Sequence, residues 1–249
     1  MNFANNWPYP PPDITLSARD LHVWRAEFDS FAEQKARFWS LLAPDEQTRA
    51  RRFHFERDKN TFVITRGILR TLLGRYVNLL PRQIQFAYSA HGKPTLPPPP
   101  TISVCQFNVS HTQGVALFAF CRQTPVGVDV ERIRPLPDAP QIAARFFSPS
   151  ENKSFLTVPA AQRDEAFFNC WTRKEAFIKA VGDGLSYPLD AFDVAFKPGE
   201  PARFLHIQGS AEEAACWSLF AFAPAADYVG ATAVSGHNWR LSTWTFPST

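Results

Sequence analysis

The sequence predicts an α+β fold made of two similar halves. Apolar residues recur with a helical period over residues 58–80 and alternate like a strand over residues 21–28. In each half, helical segments are followed by strand-like runs, and the two halves are similar in length. With 249 residues, the chain is long enough for one large domain or two of about 125 residues. We therefore expect two α+β subdomains, residues 20–124 and 125–249, after a proline-rich tail of residues 1–19.

In the first half, two proline clusters at residues 8–13 and 93–100 separate the predicted elements. A helix is expected to begin at Pro44, and residues 84–90 alternate like a short strand. Residues 107–133 are interpreted as a loop, a strand, a proline-containing turn and a second strand. The two strands of this segment are expected to pair with each other.

The second half is expected to open with helices and to finish with strands. Its longest helix has a buried stripe that includes Phe167, Trp171 and Ile178, and Gly182 supplies a C-terminal stop. The predicted helices cover residues 138–147, 148–156 and 163–181, and the predicted strands cover residues 191–196, 216–222, 228–234 and 239–246.

The composition is that of a folded globular protein. Hydrophobic residues make up 45% of the chain, and the apolar run at residues 115–121 is far too short to span a membrane. The N-terminus lacks the pattern of an export signal, and the four cysteines form no C-x-x-C pair. We therefore expect a cytoplasmic protein with reduced thiols and a tail that orders late or not at all. The net charge of +3 does not favour nucleic-acid binding but suits a polyanionic ligand or an acidic protein partner.

The stretch VGVDVE, residues 126–131, places two carboxylates on one face of a predicted strand. Three valines alternate on one side, whereas Gly127, Asp129 and Glu131 occupy the other. Neighbouring carboxylates repel each other unless a cation or a water-rich surface relieves them. The pattern is therefore compatible with the solvated outer face of a hairpin or with a site for a divalent cation.

Glu175 is the expected third carboxylate of such a cation site. It lies four residues before Lys179 and so shares a helix face with it. An ordinary surface ion pair would explain this spacing, but Mg²⁺ binds carboxylates, water and phosphate oxygens together. In that case Lys174 and Lys179 would face the phosphates that the metal also holds.

Further anion contacts are expected from His111 and from basic residues of the first half. Arg66 and Arg70 lie four residues apart, so like charges crowd one helix face unless an anion intervenes. Each of these side chains is equally compatible with an ordinary structural or solvated role. The common P-loop, dinucleotide, zinc-protease and serine-hydrolase motifs are missing from the sequence. The remaining arginines considered as anion contacts are Arg49, Arg51 and Arg52.

Three motifs stand in an order that closely resembles a known family. They are FNVSH at residues 107–111, GVDVE at residues 127–131 and WTRKEAFIKAVGDGLSYPL at residues 171–189. They resemble the 4′-phosphopantetheinyl transferases of the broad-specificity, surfactin-synthetase-activating (Sfp-type) class, and match its patterns N-[ILV]-S-H, G-[IV]-D-x-E and W-x-x-K-E-[AS]-x-x-K without a gap. GKP at residues 92–94 and RRF at residues 51–53 also fit. Three ordered motifs make the resemblance specific.

The resemblance implies a role for each candidate site residue. The implied Mg²⁺ ligands are Asp129, Glu131 and Glu175, and Val130 leaves a metal position to water. Glu175 is also the expected base, directly or through a metal-bound water, and Lys179 is expected to steady the leaving phosphate. The implied contacts to coenzyme A are Arg49, Arg66, Lys93, Pro94, Ser110, His111, Lys174 and Lys179.

The resemblance also implies a pseudo-twofold pair of α+β halves with the active site at their interface. The implied reaction transfers phosphopantetheine from coenzyme A to a serine of an acidic apo acyl, aryl or peptidyl carrier protein. A chain that carries both halves is expected to work as a monomer, without nucleic acid or membrane. Two other functions stay open: another Mg-dependent phosphoryl-transfer enzyme, or a non-catalytic module that binds carrier proteins.

Overall fold

The computed structural model describes residues 6–89, 92–97, 105–182 and 187–248. Helices and strands are mixed along these ranges, so the predicted α+β class is confirmed. The α-helices are α1 (Lys35–Leu41), α2 (Pro44–Arg51), α3 (Glu56–Val77), α4 (Ala139–Phe146), α5 (Pro149–Leu156), α6 (Arg163–Val181) and α7 (Ala211–Ala215). The strands are β1 (Asp20–Glu27), β2 (Ala87–Tyr88), β3 (Pro94–Thr95), β4 (Cys105–Thr112), β5 (Val115–Arg122), β6 (Val126–Arg132), β7 (Phe192–Val194), β8 (Phe204–Ile207), β9 (Trp217–Phe222), β10 (Tyr228–Ser235) and β11 (Arg240–Thr245).

Parts of four predicted segments lie outside the described residues. They are residues 1–5 of the N-terminal tail, residue 90 of the short predicted strand, residues 98–100 of the second proline cluster and residues 183–186 of the third motif.

The larger sheet has the order β11-β1-β5-β4. Strand β1 pairs antiparallel with β5 and parallel with β11, which brings the last strand of the chain into the sheet of the first half. Strand β5 is buried on both faces, so its residues divide between two cores. Phe118 and Phe120 point into a core shared with Ile68 and Leu72 of α3, whereas Leu117 lies in a second core.

The second sheet has the order β6-β10-β9 and is antiparallel throughout. The valines of β6 pack in the same core as Leu117, so the inner faces of the two sheets meet there. The other side of β6 faces α6, which also packs against β10. A third core lies around α6, where α4, α5 and the short β7–β8 hairpin surround it. Each half therefore contributes a sheet and a long helix.

Two local predictions for the first half are wrong. The segment Asn108–His111, interpreted as a loop, lies inside strand β4, where alternate side chains are buried. Strand β5 pairs with β1 and β4 rather than with β6, which pairs with β10. The reason is packing, because the valines of β6 share the core between the two sheets with Leu117 of β5, so β6 faces β5 instead of extending its sheet.

The described part of the proline-rich N-terminal segment, residues 6–19, packs against the fold, whereas a tail that orders late or not at all was expected. Trp7 is buried in the core between the two sheets, and its indole Nε1 donates to the Ala223 carbonyl at 3.2 Å. Strand β11 holds the segment as well, because the Thr245 amide donates to the Pro8 carbonyl at 2.8 Å. The burial of Trp7 and the hydrogen bonds to β11 together hold the segment against the core.

No helix within the described residues is both long and apolar enough to cross a membrane. The four cysteines are free thiols, of which Cys105, Cys121 and Cys170 are buried and Cys216 is exposed.

Candidate active site

Strand β6 presents Asp129 and Glu131 on the face that meets α6, as the alternating pattern predicts. Asp129 is buried, whereas Glu131 is half-buried. Burial raises the pKa of Glu131, and the charge of Asp129 adds to this effect. Thr112 donates to Glu131 Oε2 at 3.3 Å, and Arg134 lies 3.8 Å from the same oxygen. The two carboxylates are therefore close enough to influence each other while each has its own partners.

Asp129 is held by two donors on one of its oxygens. The Ser110 hydroxyl donates to Oδ1 at 2.8 Å, and the Lys179 ammonium donates to the same atom at 2.6 Å. Lys179 also donates to the Ser110 hydroxyl at 3.1 Å. The second carboxylate oxygen, Oδ2, is buried without a hydrogen-bond partner among the described residues. Buried carboxylate oxygens are normally paired, so this atom is a vacant acceptor.

Helix α6 brings Glu175 to the same place, since Glu175 and Lys179 lie one turn apart. Burial raises the pKa of the half-buried Glu175 above its ordinary value. The charge of Lys179 opposes this rise, whereas Asp129 and Glu131 add to it. The structure therefore brings together the three carboxylates that the sequence selected, with Lys179 among them.

Gly127 allows α6 to approach β6 this closely. A Cβ atom at this position would lie 2.0 Å from the Ala176 carbonyl oxygen and 2.4 Å from the Ala180 amide nitrogen. No real side chain tolerates such contacts with helix backbone. The glycine of the GVDVE motif is thus required for packing, and the two acids that follow it depend on that packing for their distance to Glu175.

Lys93 connects the first half to the end of α6. Its half-buried ammonium donates to the Val126 carbonyl at 3.3 Å and to the Lys179 carbonyl at 2.5 Å. Burial lowers the pKa of Lys93 to about 8, and the charge of Lys179 contributes to the shift. The lysine therefore ties the β2–β3 hairpin to both elements that carry the carboxylates.

A cleft of about 250 Å³ opens beside this connection, between the two halves. The first half lines it with Lys93, Pro94 and Asn108, and α6 lines it with Ile178 and Lys179. Lys179, whose ammonium contacts Asp129, is thus part of the cleft lining. A concave site between two subdomains with two lysines in its lining has the form expected of a binding site for a small anionic molecule.

Comparison with known proteins agrees with this geometry. Residues 24–122 match the model of the 4′-phosphopantetheinyl transferase N-terminal family, and residues 125–233 match that of the 4′-phosphopantetheinyl transferase superfamily. The 4′-phosphopantetheinyl transferase HetI of Nostoc sp. is 37% identical over 240 residues, which cover 96% of this chain and 98% of the relative. The chain belongs to the 4′-phosphopantetheinyl transferase family.

Other relatives of this transferase match over shorter lengths. The 4′-phosphopantetheinyl transferase Sfp of Bacillus subtilis is 34% identical over 65% of this chain and 70% of its own. Among solved structures, the holo-[acyl-carrier-protein] synthase of Thermotoga maritima is 20% identical, with a TM-score of 0.35 over 47% of this chain and 66% of its own. The ACPS–CoA complex of Chronobacterium ammoniagenes is also 20% identical, with a TM-score of 0.35 over 46% of this chain and 98% of its own.

In this transferase, Lys174 does not face the cleft, and the prediction that it faces phosphate is corrected. Its side chain is fully buried, and its ammonium donates to Glu151, Leu189 and Phe192 in the core of the second half. The reason is helical geometry, because adjacent residues point about 100° apart. When Glu175 faces β6, Lys174 must point elsewhere.

His111 and Ser110 lie at the end of β4 near the carboxylates, although only Ser110 contacts them. The exposed ring of His111 packs edge-on against Phe28, with ring centroids 6.3 Å apart. The surrounding protein and the charge of Lys179 both lower the pKa of His111. The contact of His111 to a coenzyme A phosphate stays a prediction. The lowered pKa favours the neutral ring, which can still donate one hydrogen bond.

The two arginines expected to bind phosphate lie on α2 and α3 and share an aromatic ring. The exposed guanidinium of Arg49 and the buried one of Arg66 lie 5.3 and 5.6 Å from the centre of the Phe62 ring. Arg66 also pairs with Glu46 at 3.3 Å, and its buried Nη1 has no hydrogen-bond partner among the described residues. Their phosphate contacts stay predictions, which the unused donor of Arg66 supports.

The chemistry of the carboxylate cluster fits a divalent cation. Carboxylates are preferred ligands of Mg²⁺, and the unpaired Asp129 Oδ2 offers a buried negative oxygen that a cation would satisfy. However, no three Asp, Glu, His or Cys side chains of the described ranges already converge tightly enough to hold a metal ion. The assignment of Asp129, Glu131 and Glu175 as ligands therefore stays a prediction.

Sequence reasoning missed two residues that organise this site. The Asn108 side-chain oxygen accepts a hydrogen bond from the Val128 amide at 2.9 Å, and this bond joins β4 to the unpaired edge of β6. Glu151 binds Lys174 from α5. Both had a local signal, since Asn108 opens the N-V-S-H motif, and Ser148 and Glu151 form the S-x-x-E pattern of a capping box.

Proposed function

We propose that this transferase moves 4′-phosphopantetheine from coenzyme A to a serine hydroxyl of an apo carrier protein. The observation that carries the proposal is the meeting of Asp129, Glu131, Glu175 and Lys179 beside the cleft between the halves. The name of HetI, a relative that aligns with almost the whole chain, supports the same reaction. Coenzyme A is a polyanion that suits a cleft lined by two lysines.

In the proposed reaction, the serine oxygen attacks the β-phosphate of coenzyme A, which bears the pantetheine. The bond from this phosphorus to the bridging oxygen breaks, and adenosine 3′,5′-bisphosphate leaves. Glu175 accepts the serine proton, a role that its raised pKa favours. Lys179 stabilises the negative charge that develops on the leaving phosphate.

Before substrate binds, Lys179 is paired with Asp129. We expect coenzyme A to draw this ammonium toward its diphosphate, since Lys179 also lines the cleft. Mg²⁺, held by Asp129, Glu131 and Glu175, would supply further positive charge to the diphosphate. Lys93 would keep the end of α6 and the adjoining strand in place while Lys179 moves.

The proposed protein partners are acidic apo acyl, aryl or peptidyl carrier proteins. The formal charge of +3 supports an acidic partner, although it does not define the docking surface. The chain is proposed to act as a monomer, because it contains both halves that line the cleft. Its proposed location is the cytoplasm.

The direct test is to incubate the protein with coenzyme A, Mg²⁺ and apo carrier proteins of each class, and to measure intact carrier masses. We expect a phosphopantetheine adduct on at least one carrier, and no adduct when a chelator removes the metal. The variant Glu175→Gln should lower the rate at least about 100-fold, because the site loses its base. Its unfolding temperature should remain close to that of the wild type, since Glu175 is half-buried and has no ion pair within 4.0 Å among the residues that the structure describes.

Two results would contradict the proposal. Full turnover by Glu175→Gln would exclude the role of this carboxylate as base. A wild-type protein that binds coenzyme A in a calorimetric titration yet modifies none of the carriers would favour the non-catalytic binding module.

A further inference from the structure

The ammonium of Lys174 uses all its hydrogen-bond donors inside the protein. It donates to Glu151 Oε2 at 2.7 Å, to the Leu189 carbonyl at 2.7 Å and to the Phe192 carbonyl at 2.5 Å. It also lies 4.2 Å from the centre of the Phe192 ring, and its side chain has no exposed surface. A lysine ammonium has three donors, so none is left for a phosphate.

Glu151 is satisfied just as completely. Its Oε1 accepts from the Val194 amide at 2.9 Å, and its Oε2 accepts from the Ser148 amide at 2.9 Å as well as from Lys174. Burial raises the pKa of Glu151, while the charge of Lys174 opposes this effect. Each charge of the pair therefore offsets part of the free-energy cost of burying the other in the core.

The pair joins two other parts of the second half to α6. Glu151 lies on α5, Leu189 lies shortly before β7, and Phe192 is the first residue of β7. On α6, Lys174 immediately precedes Glu175, which approaches β6 on another face of the helix. The helix is thus fixed from two directions, by the buried ion pair on one face and by the contact with Gly127 on another.

We propose that Lys174 and Glu151 are positioning residues, which set the rotation of α6 so that Glu175 and Lys179 meet the carboxylates of β6. Lys174 does not contact coenzyme A. The catalytic part of this inference rests on the proposed function, whereas the structural part does not.

The test is a double-mutant cycle with Lys174→Met, Glu151→Gln and the combined variant. Each single substitution leaves one buried charge without its partner, whereas the combined variant removes both charges together. We expect each single variant to unfold at lower denaturant concentration and to lose at least about tenfold in kcat. The combined variant should be no worse than the poorer single variant, and KM for coenzyme A should stay within about threefold of the wild type throughout.

Lys153→Met provides the matched control, because Lys153 is an exposed lysine on α5. It should match the wild type in stability and turnover. Where Lys174→Met does not fold, Glu151→Gln and the combined variant still carry the comparison, with coenzyme A affinity measured calorimetrically.

Two outcomes would overturn the inference. The first is a rise of about tenfold or more in KM for coenzyme A in both variants that lack Lys174, with no such rise in Glu151→Gln. The second is additive losses of stability, which would show that the two side chains are not coupled. Because the unfolding cycle needs no turnover, a wild-type protein without transferase activity would contradict the proposed function but leave the test of the ion pair intact.

Discussion

At the scale of single residues, His22 shows how a buried polar side chain restricts the pH range of the fold. Its Nδ1 lies 2.8 Å from the Tyr76 hydroxyl, which also accepts from Trp24 Nε1 at 2.8 Å. Because Trp24 can only donate, the Tyr76 proton is free to donate to His22, which suits a neutral imidazole. Burial lowers the pKa of His22 to about 4.

We predict that protonation of His22 destabilises the protein in acid. Between pH 6.5 and 4 the unfolded chain binds a proton at this residue that the folded chain does not, so the free energy of unfolding falls as the pH falls. The penalty should reach about 2 kcal/mol at pH 5. In His22→Asn, which cannot titrate, denaturant unfolding between pH 7 and 4.5 should lose less stability than in the wild type.

His54→Asn is the control for this measurement, because His54 is exposed. It should follow the pH profile of the wild type. Parallel profiles for His22→Asn and the wild type would refute the assignment.

Sequence reasoning at this scale succeeded where the position of a side chain follows from the periodicity of its strand or helix. Alternation placed Asp129 and Glu131 on one face of a strand, and helical spacing placed Glu175 beside Lys179. The wrong prediction for Lys174 has a physical reason. A helical pattern shows which residues share a face, but a buried lysine is predictable only when its partner is known, and Glu151 lies 23 positions away on another helix.

At the scale of elements, the contact between α6 and β6 determines the spacing of the site. A Cβ at Gly127 would also lie 2.9 Å from the Lys179 carbonyl carbon, so every close neighbour belongs to the backbone of the helix. Backbone in the middle of a helix cannot rotate away as a side chain can. Adding one methyl group must therefore displace the helix from the strand.

We predict that Gly127→Ala lowers kcat at least about tenfold, because Glu175 moves away from Asp129 and Glu131. Overpacking should also cost about 1–3 kcal/mol in the free energy of unfolding. Steady-state kinetics and denaturant unfolding measure the two effects separately.

Gly67→Ala in α3 is a matched control, because its Cβ would meet only the Phe38 side chain, at 2.5 Å, in the core of the first half. It should destabilise the protein while leaving kcat of the folded protein near the wild-type value. An unchanged kcat in Gly127→Ala would show that the close packing does not govern the site.

Most elements were predictable because their apolar periods are long, as in α3 and α6. Pairing between elements was harder to predict. The sequence favoured a hairpin of β5 and β6, since neighbouring strands usually pair, yet the two strands lie in different sheets and pack against each other through the core between them. Strand β8 was not predicted at all, and with four residues it is too short for a clear alternating pattern.

At the scale of the whole molecule, the N-terminal segment is a structural part of the core. The ring of Trp7 is 8% exposed, and it packs edge-on against Phe222 with centroids 5.7 Å apart. Sequence reasoning gave weight to the prolines around it. It could not identify the cavity that Trp7 fills, because that cavity forms only when the two sheets meet.

We predict that Trp7→Ala lowers the free energy of unfolding by about 3–5 kcal/mol, because it leaves a large cavity between the sheets. Tyr9→Ala, two residues away, changes an aromatic side chain that is 68% exposed and should cost less than about 0.5 kcal/mol. Chemical denaturation of the two variants checks this contrast. Equal losses would mean that the segment contributes little to the core.

The parallel pairing of β1 with β11 has a consequence for how the protein is made. Asp20 and Arg240, which join the two strands, are 220 residues apart in the chain. As the ribosome extends the polypeptide from its N-terminus, one edge of β1 stays unpaired until β11 is available. Strand β11 is synthesised after every other described element. An incomplete translation product would carry this open edge together with the apolar surface that β11 covers, and such edges promote aggregation. The first sheet is therefore completed only when β11 emerges from the ribosome. Until then the nascent chain is more prone to aggregate than the finished protein.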